Sequence, residues 1–358
     1  MAYTTIDKPS DYFNTVLYTG TGADNRAVTG VGFQPDWLWI KDRSSSFSHA
    51  LFDVVRGSSK MLVTQGTEAE QTNPGSGGIT SFDTNGFTTD AGSGGNPYRN
   101  TNQNNDAYVS WNWKAGTSFT NNAGANGANL ATTAGSVNTD AGFSILKWNS
   151  SGMATEGLLA HGLGVVPNVV IIKSLSATDS WYTYHVATGN AKYLRLNESG
   201  GAVSNSTWLR SKTPTSTLIS LGNGFWGSSS IDYIAYCFAE KQGYSKFGSY
   251  VGNGSTDGPF INLGFKPAYF MLKGVSSESW NITDDKRNVS NPSGYFLYAN
   301  TTAAEYQAFT YSEMDFLSNG VKLRKSHEQM NTSGSEYVYM AFASNPFVTS
   351  TGIPGMAE

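Results

Sequence analysis

Three stretches of the chain share one punctuation. GFQPDWLWIK (Gly32 to Lys41), GVVPNVVIIK (Gly164 to Lys173) and GFKPAYFMLK (Gly264 to Lys273) each set a proline ahead of five mostly apolar residues and a lysine. Upstream of each lies a Gly- or Asn-rich turn, beginning near Tyr18, Lys147 and Ser249. Eight, eight and seven residues beyond the lysine stand His49, Trp181 and Trp280. Each copy then carries Asn-Gly and an apolar residue (Asn85-Gly86-Phe87, Asn223-Gly224-Phe225, Asn319-Gly320-Val321). Each closes on a tyrosine-led strand: YVSWNWKA from Tyr108, YIAYCFAE from Tyr233 and YVYMAFAS from Tyr337. The proline-to-tyrosine intervals are 73, 66 and 70 residues (35 to 108, 167 to 233, 267 to 337). A chain so divided is a tandem repeat, and each copy must build the same small unit.

Period-2 alternation says how each unit packs. In the closing strands Val109, Trp111 and Trp113 share one face, as do Ile234, Tyr236 and Phe238, and Val338, Met340 and Phe342; this bulky face is expected to be the core face. The proline-to-lysine strand is apolar on both faces, with Trp37 and Trp39 on one and Leu38 and Ile40 on the other. It is therefore buried on both sides or lies at a contact between units. A proline is tolerated at a strand's first residue. Forty glycines and 13% aromatics suit short strands joined by tight turns. The expected fold is all-β: three tandem β-sandwich (jelly-roll-like) repeats of about 100 residues, covering 1–115, 141–243 and 244–348. Between the first two lies a Gly/Ala/Asn/Thr-rich linker, 116–140, with a coil reach of roughly 25–30 Å unless it lies ordered along a neighbour. Residues 349–358 form a C-terminal tail.

Charged residues are 14% of the chain and the net charge is −4, without blocks. Nucleic-acid grooves and anionic membranes need clustered Lys and Arg, so neither is an expected partner. One cysteine, Cys237, excludes an intramolecular disulfide and a thiolate metal cluster. No two of His49, His161, His185 and His327 stand at metal-ligand spacing. No segment approaches the ~18 apolar residues of a membrane helix. The start, MAYTTIDKPSDYFN, lacks the marks of a secretory signal, so folding in a cytoplasm, or export by a route that uses no cleaved signal, is expected. The glycine runs at Gly75 and Gly92 lack the Lys-Ser or helix of a phosphate loop, and no cofactor is expected. Calcium is left open at NQNNDAY, Asn102 to Tyr108, which lacks the DxDxDG ligand order.

Two sets of side chains could carry binding. Aligning the copies sets Asp53 and Arg56 against His185 and Thr188, and against Asp284 and Arg287. Such a pair is either a polar site for sugar hydroxyls or a carboxylate, or an ion pair tying a loop to its own sheet. The second reading is favoured because the middle copy drops the pair yet keeps every other marker. Trp111, Trp113 and Trp181 sit at repeat-equivalent core positions. Trp148, Trp208 and Trp226 have no obvious equivalents and are the candidates for surface contacts with sugar rings. Glycoside hydrolysis needs two carboxyl groups at about 5–9.5 Å. Of the close acidic pairs, Glu68 and Glu70 read as a solvated loop, and Asp284 and Asp285 should point to opposite faces of a strand. No GxSxG elbow occurs. The chain is not expected to be an enzyme.

The run from YTGTG through GFQPDWLWIKDRSSSFSHALFDVVRGSSKML (Tyr18 to Leu62) resembles a module of structural proteins from marine bacteriophages, cyanophages among them. DSWYTYHVATGNAKYL (Asp179 to Leu194), the segment Ala235 to Lys273 and the ending AFASNPFVTSTGIP (Ala341 to Pro354) are similar to that module and its surroundings. The pattern departs at Gly274-Val275 and at an insertion from Asn96 to Asp106. The resemblance implies a virion protein with lectin- or glucanase-like sandwiches, made in host cytoplasm and without transferable catalytic residues. It implies a tail fibre or appendage that binds host-surface glycan, or else a capsid decoration or knob protein; a polysaccharide depolymerase is the third reading. Implied partners are other tail or capsid proteins, and a homotrimer is left open. Three copies in one chain could instead build a pseudo-threefold head without oligomerising.

Overall fold

The computed structural model describes residues 3–90, 99–227, 230–307 and 313–355. The glycine run at Gly92, the start of the Asn96 insertion and the last three residues of the tail lie outside them. The chain is all-β; among the described residues the only α-helical segments, Asn223–Trp226 and Glu328–Asn331, are four residues each.

One strand order recurs. In the first sandwich the larger sheet runs Phe13–Thr19, Ala107–Trp113, Trp37–Asp42, Ala50–Asp53, so the closing strand lies between the opening strand and the proline-to-lysine strand. The third repeats it with Ser245–Val251, Glu336–Pro346, Phe265–Gly274 and Asn281–Asp284. The second does so with Phe143–Asn149, Asp232–Phe238, Val169–Ser174 and Tyr182–His185. A smaller sheet covers one face of each: Ala27–Thr29, Gly86–Asp90 and Gly78–Asp83 in the first; Glu156–Ala160 with Leu218–Gly222 in the second; Phe260–Asn262, Gly320–Leu323 and Met314–Leu317 in the third. In the first and third copies the Asn-Gly motif closes a tight hairpin. A Cβ at Gly86 or Gly320 would come within 1.9 or 2.1 Å of a neighbouring strand's carbonyl oxygen, so only glycine fits. In the second copy Asn223 instead opens the short helix.

The bulky face of the closing strand does not face its own sandwich. Leu38 and Ile40, with Tyr108, Phe52 and Phe87, fill the interior of the first sandwich, whereas Trp37, Trp39, Val109, Trp111 and Trp113 turn outward into a central core. The other two larger sheets do the same, sending in Val169, Ile171, Ile234, Tyr236 and Phe238, and Tyr269, Met271, Val338, Met340 and Phe342. The repeat-equivalent rings Trp113, Phe238 and Phe342 meet pairwise at centroid distances of 6.5, 5.6 and 5.8 Å. The three larger sheets thus stand back to back around a pseudo-threefold axis. Each buried tryptophan there contributes roughly 4–6 kcal/mol of transfer free energy at most.

The segment read as a linker belongs to the second sheet. Ala134–Asn138 pairs antiparallel with Phe143–Asn149, and Thr117–Ser118 pairs with it in turn. Edge pairing uses backbone groups alone, so small polar residues suffice. The described part of the tail folds back: the Ser350 amide donates to Asp7 at 2.6 Å, and Val348 bridges Pro354.

Candidate functional site

The acid–arginine pairs, the strand lysines and the rings beyond them converge on three seams between sandwiches. At each seam a backbone amide of one sandwich donates to a carbonyl of the next: Glu70 to Leu175 at 2.9 Å, Ala202 to Val275 at 2.7 Å and Glu305 to Arg43 at 2.9 Å. These six positions are repeat-equivalent, and the last bond closes the third sandwich onto the first. The rings beyond the lysines form a second such set. Trp181 Nε1 donates to the Val63 carbonyl at 2.8 Å and Trp280 Nε1 to that of Arg195 at 2.8 Å. His49 Nδ1 accepts from Trp39 Nε1 at 2.8 Å, which leaves Nε2 to carry the proton and donate to the Tyr298 carbonyl at 3.0 Å.

The three lysines stand next to last in their strands and are fully buried. Lys173 Nζ donates to Asp179 O at 2.9 Å and, across the seam, to Thr67 O at 3.2 Å. Lys273 Nζ donates to Ser277 O and, across the seam, to Ser199 O, both at 2.9 Å. Lys41 holds carbonyls of its own loop, those of Asp42 and Ser45. Burial pulls all three ammonium groups down to a pKa of about 8, because carbonyl dipoles replace water only in part.

The acid–arginine pairs are real contacts, and larger than pairs. Arg56 Nε meets Asp53 Oδ2 at 2.5 Å and Arg56 Nη1 meets Glu70 at 3.3 Å; Arg287 repeats this with Asp284 at 2.6 Å and Glu305 at 3.0 Å. Both arginine–aspartate pairs are sealed from solvent. Each aspartate also accepts a hydrogen bond from the closing strand of the adjacent sandwich, Asp53 from Tyr236 OH at 2.7 Å and Asp284 from Trp111 Nε1 at 3.0 Å. In the middle copy the three positions hold His185, Thr188 and Ala202. His185 Nδ1 accepts from the Ala187 amide at 3.2 Å, so Nε2 donates to the Tyr339 carbonyl at 3.0 Å. Burial lowers its pKa to about 4, which keeps it neutral.

Two expectations need correction. Trp148, Trp208 and Trp226 are at most 1% exposed and line the interior of the second sandwich. The closing strand there shows only Ala235 and Cys237 beside Tyr233 on that face, and the three indoles fill the space; Trp148 stacks on Tyr233 at 5.2 Å. They offer no surface to a sugar. Glu70, read as solvated, is an ion-pair partner of both Arg56 and Lys60. The Asn102 side chain accepts from the Thr21 amide and donates to Ala23 O, tying its loop to the turn after the opening strand. Among the described residues no group of three or more His, Cys, Asp or Glu side chains is placed to hold a metal. No helix there is long and apolar enough to cross a membrane.

Fold and seams together define an all-β chain of sandwiches closed into a ring by buried polar contacts. The chain belongs to the family described as domain of unknown function DUF7483, whose model matches residues 8–346. That single match spans all three sandwiches. No curated protein matches the chain.

Proposed function

We propose that this protein is a non-enzymatic structural component of a bacteriophage virion, serving as a rigid head on a tail fibre or appendage. The supporting observation is the closed ring: three equivalent closing strands meet at Trp113, Phe238 and Phe342, and the Glu305 amide completes the circuit to Arg43. One polypeptide thereby presents the geometry that appendages obtain from three chains, and a pseudo-threefold body can sit on a threefold stalk supplied by another protein. Such a head would hold weak contacts to host-surface glycan and gain avidity from the number of heads per virion.

The burial of Trp148, Trp208 and Trp226 favours a second reading, capsid decoration without a host ligand, because it removes the aromatic surface that glycan binding would use. Immunogold electron microscopy of virions of the encoding phage separates the two. Label at the tail tip is the expected result. Label over the head would establish decoration, and virions that carry no label would overturn a virion role.

A further inference from the structure

One end of the third sandwich carries a cavity of about 370 Å³ between the proline-to-lysine strand and the loop after Asn281–Asp284. That volume lies at the small end of ligand pockets. Lys266, Asp285, Lys286, Ser290 and Phe316 are among the residues that line it. Asp285 Oδ1 is buried without a hydrogen-bond partner, and burial raises the pKa of this carboxyl to about 6.

The other two copies show that the fold does not require these charges. Lys266, Asp285 and Lys286 correspond to Gln34, Val54 and Val55 in the first copy and to Val166, Val186 and Ala187 in the second. The amides of Val54, Val186 and Asp285 make the same bond, to the carbonyls of Asp36, Asn168 and Ala268. The backbone is thus common to all three, while the side-chain chemistry belongs to the third alone.

The loop is held in place from within. Asn288 donates to Tyr295 O at 2.9 Å and accepts from the amides of Gly294 and Tyr295; Asn291 exchanges hydrogen bonds with the backbone of Phe316 at 3.1 and 2.9 Å. A preformed wall lowers the ordering cost of binding. A bare anion would meet the Asp285 carboxylate, and a bare cation would meet two ammonium groups. The lining suits a ligand that presents an anionic group and hydroxyl donors together.

We propose that this cavity binds a saccharide unit bearing a carboxylate, with Lys266 and Lys286 facing the carboxylate and Asp285 accepting from ring hydroxyls. The choice of a glycan rests on the appendage reading above, whereas the existence of the site does not.

Titration calorimetry of the full chain tests it, with an oligoglucuronate as ligand and a neutral gluco-oligosaccharide, inorganic phosphate and glycine as controls. Only the oligoglucuronate should bind. Asp285→Val and Lys266→Gln, each the residue of a sister copy, should weaken binding by roughly tenfold or more with an unchanged melting temperature. Equal binding of phosphate or glycine, unchanged affinity in both variants, or no binding of the oligoglucuronate would overturn the proposal. None of these results bears on where immunogold places the protein, so the two readings fail separately.

Discussion

The Asp53 carboxylate, in the first sandwich, accepts a hydrogen bond from the Tyr236 hydroxyl of the second at 2.7 Å, while Arg56 holds the same oxygen at 2.5 Å. Asp284, Trp111 and Arg287 repeat this between the third sandwich and the first. At the remaining seam the closing-strand position holds Met340, which has no proton to offer, and the facing position is His185. The acid therefore occurs where the neighbouring sandwich supplies a donor. Where no donor exists, the acid, its arginine and its second carboxylate are all replaced.

Removing the donor should be costly. Tyr236→Phe keeps the ring but takes one hydrogen bond from a buried carboxylate, a loss of about 1.5–3 kcal/mol. Chemical denaturation followed by tryptophan fluorescence should show that decrease. A change below about 0.5 kcal/mol, as for an ordinary surface substitution, would show that the seam bond is not used.

The middle seam should refuse the acid. In His185→Asp a carboxylate would be buried against the Tyr339 carbonyl with no arginine beside it, a loss of several kcal/mol. Adding Thr188→Arg, Ala202→Glu and Met340→Tyr supplies cation, second carboxylate and donor, and should restore much of the stability. Melting temperatures of the single and quadruple variants give the comparison. A quadruple variant no better than the single one would mean that the four positions do not act as a unit.

Local pattern foretold the strands better than their neighbours. The proline-to-lysine strand announces burial on both sides because Trp37 and Leu38 are adjacent and both apolar. The bulky face of Trp111 and Trp113 is a core face as its alternation predicts, but alternation alone cannot say which core, and the face lies at the axis between sandwiches. The Asp53–Arg56 contact is three residues long and legible; its partner Tyr236 is 183 residues away and is not. Trp148 takes the place of Tyr18 and Tyr250, each stacked on the tyrosine that leads its closing strand, an equivalence that only the strand register reveals; Trp208 and Trp226 pack in the same interior, a matter of volume that no single-strand pattern records.

These indoles give the next prediction. Trp208→Ala should cost about 3–5 kcal/mol, as loss of a large buried ring does, and should lower stability rather than selectively abolish a binding activity. Circular dichroism melting checks it. A variant with wild-type stability would place the ring outside the core.

Alkaline titration should first stabilise the protein. Lys41, Lys173 and Lys273 have folded pKa values of about 8 against 10.5 in the open chain. Between those values the unfolded state binds more protons, so the free energy of unfolding rises with pH. Tyr236 and Tyr269 act in the opposite sense. Burial raises their pKa values well above 10, so stability falls once unfolded tyrosines ionise. Denaturation midpoints should therefore peak at about pH 9–10. Lys173→Met should flatten the rise by removing one of its three sources. A midpoint that falls steadily from pH 7 upward would contradict the burial of the three ammonium groups.

A chain of this length ordinarily unfolds in parts, one domain after another. Here the parts are not independent. Trp37 of the first sandwich stacks on Tyr236 of the second at 4.6 Å, and Phe13 of the first stacks on Phe342 of the third at 5.2 Å. Opening any one sandwich would expose the indoles and phenols of the other two to water while breaking two of the three seams. Calorimetry should accordingly show one transition whose calorimetric and van't Hoff enthalpies agree. The seam variants sharpen the test: if the ring is one cooperative unit, Tyr236→Phe lowers the midpoint of the whole transition. If the sandwiches are merely strung together, that variant splits off a low-temperature shoulder. The shoulder would mean that the central core adds little to what each sandwich holds alone, and the rigid head would give way to three linked units.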